Sequence, residues 1–418
     1  MKDLEINTEE MNLQRSISQE NSSSPSSMRR AATAFGRLHE YLQDREYKGY
    51  EFDDLLDSPF VRGLTFGNLF LQRVAIQVGR LSPINFRALI GVSKRESTKA
   101  RGFCARGYLH RYLATNETAW LDQGLAQLQW LLDHPSQGYA GLSWGNSFDF
   151  ASRGGFFPKG LPTVVWTATI GEALKMAYDI TGDERYRQAV HAGAEFVEKC
   201  LARHEDANGV CIAYAPGLLN LIHNSNLFAA VTLLRSWQLG GKREYYDLAR
   251  RSVEWTLSHI DGGKRFYYGV EAKHRWVDTF HTAYVIESLC ECEEISKGEL
   301  VPQGLIHTLL EYWIKMFAED GTPWYYDNSL YPIDIQCCSQ AIESASKLCG
   351  RMPELGPLAD RVLRWTLDNM QKRNGAFRFR KLKYGKINYE SIHWGEATML
   401  SALGAYTHYR GNPEAPVS

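Results

Sequence analysis

The sequence predicts an all-α protein built as a closed ring of helical hairpins, six inner helices surrounded by outer ones, with short β-hairpin-like loops at one end. Three observations predict it: an internal repeat, two alternating kinds of helix within each repeat, and a glycine-marked turn between them. A fixed period of this size marks a repeated supersecondary unit, and neighbouring units then bury one another's apolar faces.

The first kind of helix carries an aromatic near its end: Trp130, Phe196, Trp255, Trp313 and Trp365, recurring every 52 to 66 residues in LQWLL, AEFVE, VEWTL, EYWIK and LRWTL. A helix with one apolar stripe turns that stripe inward, so these are outer helices and their aromatics are core. Eight to thirteen residues later stands a glycine (Gly138, Gly209, Gly263, Gly321, Gly375), followed by stretches such as GTPWYY and GAFRFR, a turn into a short extended segment. The second kind of helix comes next, in WTATIGEALKMA, NSNLFAAVTLL, FHTAYVIESLC, CCSQAIESASKL and HWGEATMLSALGA. These are apolar on more than one face, the mark of a buried helix, and form the inner ring with KARGFCARGYLHRYL as its sixth member. Leu64, Phe66, Leu69, Val74 and Ile76 predict a long buried helix, and the segment from Leu69 to Val78 then supplies the sixth outer helix.

With 418 residues, 44% hydrophobic and 23% charged, the chain can bury a large core. A single domain is expected over residues 32–410, with a C-terminal tail at 411–418. Residues 1–31, rich in serine in QENSSSPSSMRR, are expected to be disordered because they bury too little to offset ordering. The 47 basic against 48 acidic side chains give no general attraction to nucleic acid. No apolar run reaches the roughly 20 residues of a membrane span, and the N-terminus lacks a signal-like apolar core, so a cytoplasmic protein is expected. Eight cysteines without metal or disulfide spacing read as reduced, packed thiols. No phosphate loop or dinucleotide fingerprint is present, so no cofactor is expected; Glu390 and His393 stand three apart as metal ligands can, but no third ligand is specified and no metal is expected.

The repeats, together with TGDERY from Thr181 to Tyr186 and its echo TNETAW, resemble the six-hairpin, or (α/α)6 toroid, superfamily of carbohydrate-active proteins over residues 60 to 410. That superfamily includes glycosidases, unsaturated glucuronyl hydrolases, polysaccharide lyase domains and sugar 2-epimerases. The block LDSPFVRGLTFGNLFLQR is also similar to proteins of bacterial polysaccharide biosynthesis loci. The resemblance implies a pocket at the open end of the ring that takes a glycan or sugar phosphate; it does not choose a reaction.

A residue present in every unit serves the unit, so Glu172, Glu287, Glu343 and Glu396, which recur in the inner helices, are assigned to the frame. Chemistry is expected where the units differ, in the loops leading to the inner helices. There the chain places Trp144 and Asp149; His223 and Asn226; Arg275, Trp276, Asp278 and His281; Tyr326 and Asp334; and Tyr389, Glu390, His393 and Trp394. Each has a plainer role available: Asp278 and Asp334 as helix caps, the histidines as core, Asp149 as a loop organiser.

Glycosyl hydrolysis needs one protonated and one ionised carboxyl group, for which Asp278 and Asp334 are preferred, with His281, His393 and Glu390 in proton transfer. Trp144, Trp276, Trp324 and Trp394 suit stacking on sugar faces. Asp149, His223, Asn226, Tyr326 and Tyr389 are assigned to binding. A uronate epimerase or lyase would instead need a tuned base, an acid, and a cation for the substrate carboxylate. Cations are available in QKRNGAFRFRKLKYGKIN, which holds Arg378 and Arg380, and around Arg275. The expectation is a carbohydrate-active enzyme on a glycan or glycan precursor, acidic in character, with hydrolysis ahead of epimerisation or elimination. A non-catalytic glycan-binding scaffold is the rival.

Overall fold

The computed structural model describes residues 25–415. In chain order the helices are α1 (Pro25–Gln43), α2 (Pro59–Thr65), α3 (Leu69–Leu81), α4 (Thr98–Thr115), α5 (Thr118–Asp133), α6 (Val164–Thr181) and α7 (Glu184–Cys200). They continue as α8 (His223–Gln238), α9 (Arg243–Leu257), α10 (Thr279–Ser296), α11 (Leu305–Trp313), α12 (Ile335–Lys347), α13 (Leu355–Asn369) and α14 (Thr398–Tyr409), the last preceded by a π-helical turn at Ile392–Ala397.

The even helices from α4 to α14 form the inner ring, and α14 packs on both α12 and α4, closing it. The outer ring is α5, α7, α9, α11, α13 and α1. Inner-to-outer connections are short (116–117, 182–183, 239–242, 297–304, 348–354); outer-to-inner ones are long (44–97, 134–163, 201–222, 258–278, 314–334, 370–397). All the long connections therefore gather at the N-terminal ends of the inner helices. They carry the antiparallel hairpins β1 (Phe150–Ser152) with β2 (Gly155–Phe157) and β3 (Arg203–Asp206) with β4 (Gly209–Ile212). A three-stranded sheet of β5 (Ile333–Asp334), β6 (Arg380–Lys381) and β7 (Lys386–Ile387) joins them. Ser97, Thr163, Asp278 and Asp334 start four inner helices by accepting a backbone N–H, as short polar side chains do at a first turn.

The sixth outer helix is α1, not the Leu69–Val78 segment. Helix α1 starts at Pro25, ahead of the expected start at Ala32, packs on α14 and α13, and sets Phe35 edge-on to Tyr108 of α4 and Trp120 of α5; the expected disorder of 1–31 otherwise lies outside the described residues. The segment read as one long buried helix is two short ones, broken where Phe66 and Gly67 adopt positive φ. Of its five marker residues only Ile76 is buried; Leu64, Phe66, Leu69 and Val74 are exposed. Hydrophobicity was read as burial, and here the two part company.

The repeat aromatics Phe196, Trp255, Trp313 and Trp365 are buried, whereas Trp130 is half-buried and stacks on His134. The repeat glycines all have positive φ. Two also show why no side chain fits: a Cβ on Gly321 would stand 2.5 Å from the Arg361 carbonyl carbon of α13, and one on Gly375 would stand 2.5 Å from the Arg37 oxygen of α1. The turn is pressed onto the next outer helix, and the Gly375 contact identifies α1 as that helix at the seam.

Deep in the ring, inner helices exchange charge rather than apolar contact. Glu172 of α6 meets Lys347 at 3.0 Å, Arg106 at 3.4 Å and Arg235 at 3.6 Å. Arg106 also pairs with Glu343, and Arg235 with Glu291 at 2.6 Å. Glu287 accepts from Gln340 (2.8 Å) and Ser344. Burial pushes the Glu172 carboxyl up, but Arg106, Lys347 and Arg235 together outweigh it and hold it well below the usual range. Three of the recurring glutamates are thus bolts between helices. Glu396, the fourth, accepts the Phe377 N–H, and burial raises its carboxyl strongly.

Two predictions follow from this packing. Gly321→Ala should cost about 2 kcal/mol or more, since it combines a left-handed backbone with a clash on main chain, and denaturant titration would measure it. Burial lowers His408 to about 4 and His223 to about 3. Both are depressed from the ordinary 6.5, so their stabilising contribution is complete above that value and is lost as pH falls toward the folded values. Stability should decline from pH 7 to pH 4, and His408→Asn should flatten the decline by about 2 kcal/mol at pH 5.

Candidate active site

The N-terminal ends of the inner helices converge under the long connections, and two histidine–carboxylate pairs stand there. Asp278 caps α10 through the His281 N–H (2.8 Å), and its Oδ2 takes His281 Nδ1 at 2.6 Å and Trp276 Nε1 at 3.0 Å. With Nδ1 donating to the carboxylate, Nε2 is left as the basic nitrogen. Asp278 is buried, whereas the His281 side chain is 22% exposed, enough for its free nitrogen to reach a ligand. Tyr268 lies against both His281 and Trp276, with ring centroids at 4.4 and 4.7 Å. Arg153, from the turn between β1 and β2, lies over Trp276.

The second pair is His393 Nδ1 and Glu51 Oε1 at 2.5 Å, both buried, with Ser391 donating to the other Glu51 oxygen at 2.8 Å. Glu51 arrives from the connection between α1 and α4. The next residues of that connection complete the centre. Phe52 sits on Trp394 (4.6 Å) and Phe379 (5.7 Å), filling the middle of the ring end. Asp53 is buried with Oδ1 unpartnered, and burial raises it to about 6 despite the nearby His393.

Two cations face this group without a partner carboxylate at ion-pair distance among the described residues. Lys99, in the first turn of α4, lies among the rings of Trp166, Phe103 and Trp394 at 5.2 to 5.8 Å. Burial lowers it to about 8, against the pull of Glu51 and Asp53. Arg80, at the end of α3, lies over Phe52 with Nε unpartnered, and burial and Arg380 both lower it. Desolvated charge without a partner is expensive, so the buried Lys99 and the half-buried Arg80, beside a carboxyl that burial raises, offer charge to an incoming anion.

Asp334 occupies a different role from Asp278. It is fully buried, caps α12 through Gln336 N (2.9 Å), takes Trp394 Nε1 at 2.7 Å and is paired with Arg380. Burial acts to lower the Arg380 guanidinium, but Asp334 outweighs it and raises it above its ordinary value. Both oxygens of that carboxylate are engaged, one by the Gln336 N–H and Trp394 Nε1, the other by Arg380 of β6. Alternation with the buried Phe377 and Phe379 would put Arg380 on a solvent face, but it is itself buried and turns inward to Asp334.

Other expected site residues lie apart from this centre. Trp144 is core, its Nε1 donating to the Leu131 carbonyl at 2.9 Å. Asp149 organises its loop through Lys159 N (2.7 Å). His223 packs among Trp255, His259 and Phe266, and Asn226 bonds Ile212 N, Ser252 O and Thr256 Oγ1. Glu390 pairs with Lys372, and Arg378 bonds Asn388 and the carbonyls of Asn369 and Gln371. Tyr389 stacks on Phe379 beneath Arg87; Arg275 is exposed over Tyr267. Tyr326 is half-buried beside Asp278, its backbone bridged to it, so it remains at the centre with Trp276, His281, His393 and Trp394.

Sequence reasoning passed over Glu51, Asp53, Arg80 and Lys99. Lys99 left a readable signal: a lysine in the first turn opposes the helix dipole, and a broken local rule marks a functional position. Two small clefts lie beside these pairs, one lined by Asn224, Tyr268, Asp278 and His281, the other by Glu51, Asp54, Arg95 and Glu96.

No protein-family model and no curated protein matches the chain. Solved structures do. Cellobiose 2-epimerase from Spirochaeta thermophila superposes with a TM-score of 0.56 at 12% identity, over 76% of this chain and 86% of that one. A GH76 α-mannanase from Bacteroides thetaiotaomicron gives 0.59 at 13% identity over 76% and 88%. An unsaturated glucuronyl hydrolase from Streptococcus agalactiae gives 0.51 at 12% over 75% and 82%. The chain therefore has the fold of the six-hairpin, (α/α)6 toroid enzymes, and the comparison fixes that class.

Asp334→Asn should lower stability by about 3 kcal/mol, because Arg380 is left buried without its counter-charge. Chemical denaturation reads this directly. An unchanged midpoint would show that the carboxylate is free for another use.

Proposed function

We propose that this toroid is an enzyme that moves a carbon-bound proton of an acidic sugar, by epimerisation or elimination. The observation that carries the reading is the buried Lys99 and the half-buried Arg80, neither paired with a carboxylate among the described residues, near Asp53 and the two histidine–carboxylate pairs. Removing a proton beside a carboxylate places charge on that group, and preorganised cations stabilise it most where water is excluded. His281, oriented by Asp278, is the base that geometry favours; His393, set by Glu51, is the second proton carrier. Trp276 and Trp394 offer ring faces on either side.

Hydrolysis loses its preferred carboxylate pair once Asp334 is committed to Arg380 and Trp394. The free cysteines and the lack, among the described residues, of a helix long and apolar enough to cross a membrane accord with a cytoplasmic place in polysaccharide biosynthesis.

Incubation with uronate-containing oligosaccharides in heavy water tests the reading. Carbon-bound deuterium should enter the product, with His281→Asn lowering kcat by about 10²–10⁴-fold and Lys99→Met raising KM for acidic substrates. New reducing ends without deuterium would establish hydrolysis instead, and binding without turnover would establish a scaffold.

A further inference from the structure

Of the sixteen exposed large hydrophobic side chains among the described residues, eleven lie between Phe60 and Leu89, on α2, α3 and the turn that follows. Single exposed apolar residues need no explanation, but a run of this density does. Its arrangement on α3 is ordered. With about 100° per residue, Gln72, Ile76 and Gly79 share one side, which rests on Leu55 and β1, and Phe70, Leu71, Val74, Val78 and Leu81 span an arc of about 100° nearly opposite. The helix is apolar on the side that faces away from the protein. Phe60 and Leu64, four apart on α2, extend the patch, and Leu89 is 88% exposed beside it.

The charge around the patch has one sign. From Ser58 to Arg95 the chain holds six basic residues and no acidic one. Arg87 and Arg95 are taken up by Asp54 and Asp57, while Arg62, Arg73 and Lys94 have no carboxylate partner at ion-pair distance among the described residues. An apolar surface on a segment whose own charges are all cationic matches an anionic lipid surface, whose headgroups attract each Lys or Arg while the acyl boundary takes the apolar side chains. A second protein copy would bring the same cations against themselves. The 13 residues of α3 span about 20 Å against a hydrocarbon core of about 30 Å, so the helix lies in the interface plane.

We infer that the α2–α3 face docks this protein on an anionic bilayer. Docking through this face presents the enzyme's ring end to the membrane, because Arg80 on the last turn of α3 belongs to the site.

Flotation of the full chain with phosphatidylcholine vesicles, with and without one quarter phosphatidylglycerol, tests it. Binding should favour the anionic vesicles and weaken with added salt. The variant Phe70→Ser/Val74→Ser/Val78→Ser should lose binding by about tenfold or more with an unchanged circular dichroism spectrum. Arg62→Gln/Arg73→Gln/Lys94→Gln should abolish the preference for anionic lipid. Failure to float with either vesicle overturns the inference. A dimer in light scattering that the serine variant dissociates, without lipid binding, would assign the face to a second copy.

Discussion

The ionic lattice across the lower half of the ring is the constraint on which the other features rest. Arg106, Arg235 and Lys347 meet Glu172, Glu287, Glu291 and Glu343 from five of the six inner helices, so each helix is fixed in rotation and height by charges on others. Against a well-packed apolar plug such a lattice is worth little in net stability, since desolvation offsets attraction. Losing one member is another matter, at about 3–5 kcal/mol, because a buried charge is stranded. The arrangement is therefore close to all-or-none: a helix slipped by one turn of about 5.4 Å would break several pairs together.

That rigidity below has a consequence above. The short inner-to-outer connections leave no freedom at the lattice end, so variation is confined to the long connections over the inner-helix N-termini. Helix N-termini are electropositive, and their convergence favours carboxylates such as Asp278 and Asp334 as helix caps. It also makes Lys99 conspicuous, since it adds a cation where the dipoles already disfavour one. The surrounding rings exclude water, which raises the cost of that cation further and makes an incoming anion correspondingly effective at relieving it.

The ring was legible in the sequence because repetition averages out local ambiguity: five aromatics and five glycines in phase identify hairpins even where any one alone is weak. Assigning the four recurring glutamates to the frame followed from the same logic, and Glu172, Glu287 and Glu343 hold other inner helices. The seam was not legible. Helix α1 carries the aromatic as Tyr41, followed by Gly49, a tyrosine in place of the usual tryptophan or phenylalanine, and the apolar α3 segment looked the better closure because hydrophobicity was equated with burial. In the site, Asp278, His281, His393, Trp276 and Trp394 could be found as unrepeated residues of the right chemistry. The partners that tune them, Glu51, Asp53 and Arg80, come from the one connection that has no equivalent in the other units, so no repeat could point to it.

That same connection decides how the closed centre can be reached. Phe52 fills the ring end by resting on Trp394 and Phe379, and Arg80 covers Phe52 from α3. The segment is held to the ring by the Glu51 contacts with His393 and Ser391 and by Arg87, whose pairing with Asp54 is internal to the connection itself. Beside the Glu51 contacts, the Ile392 N–H donates to the Tyr50 carbonyl at 3.0 Å, so Ser391, Ile392 and His393 are all tied to the stretch that carries Phe52. Under the reading proposed above, an anion drawn by Lys99 and Arg80 would compete for the field that Glu51 and Asp53 now supply, and its charge would act on the same short stretch of chain that places Phe52.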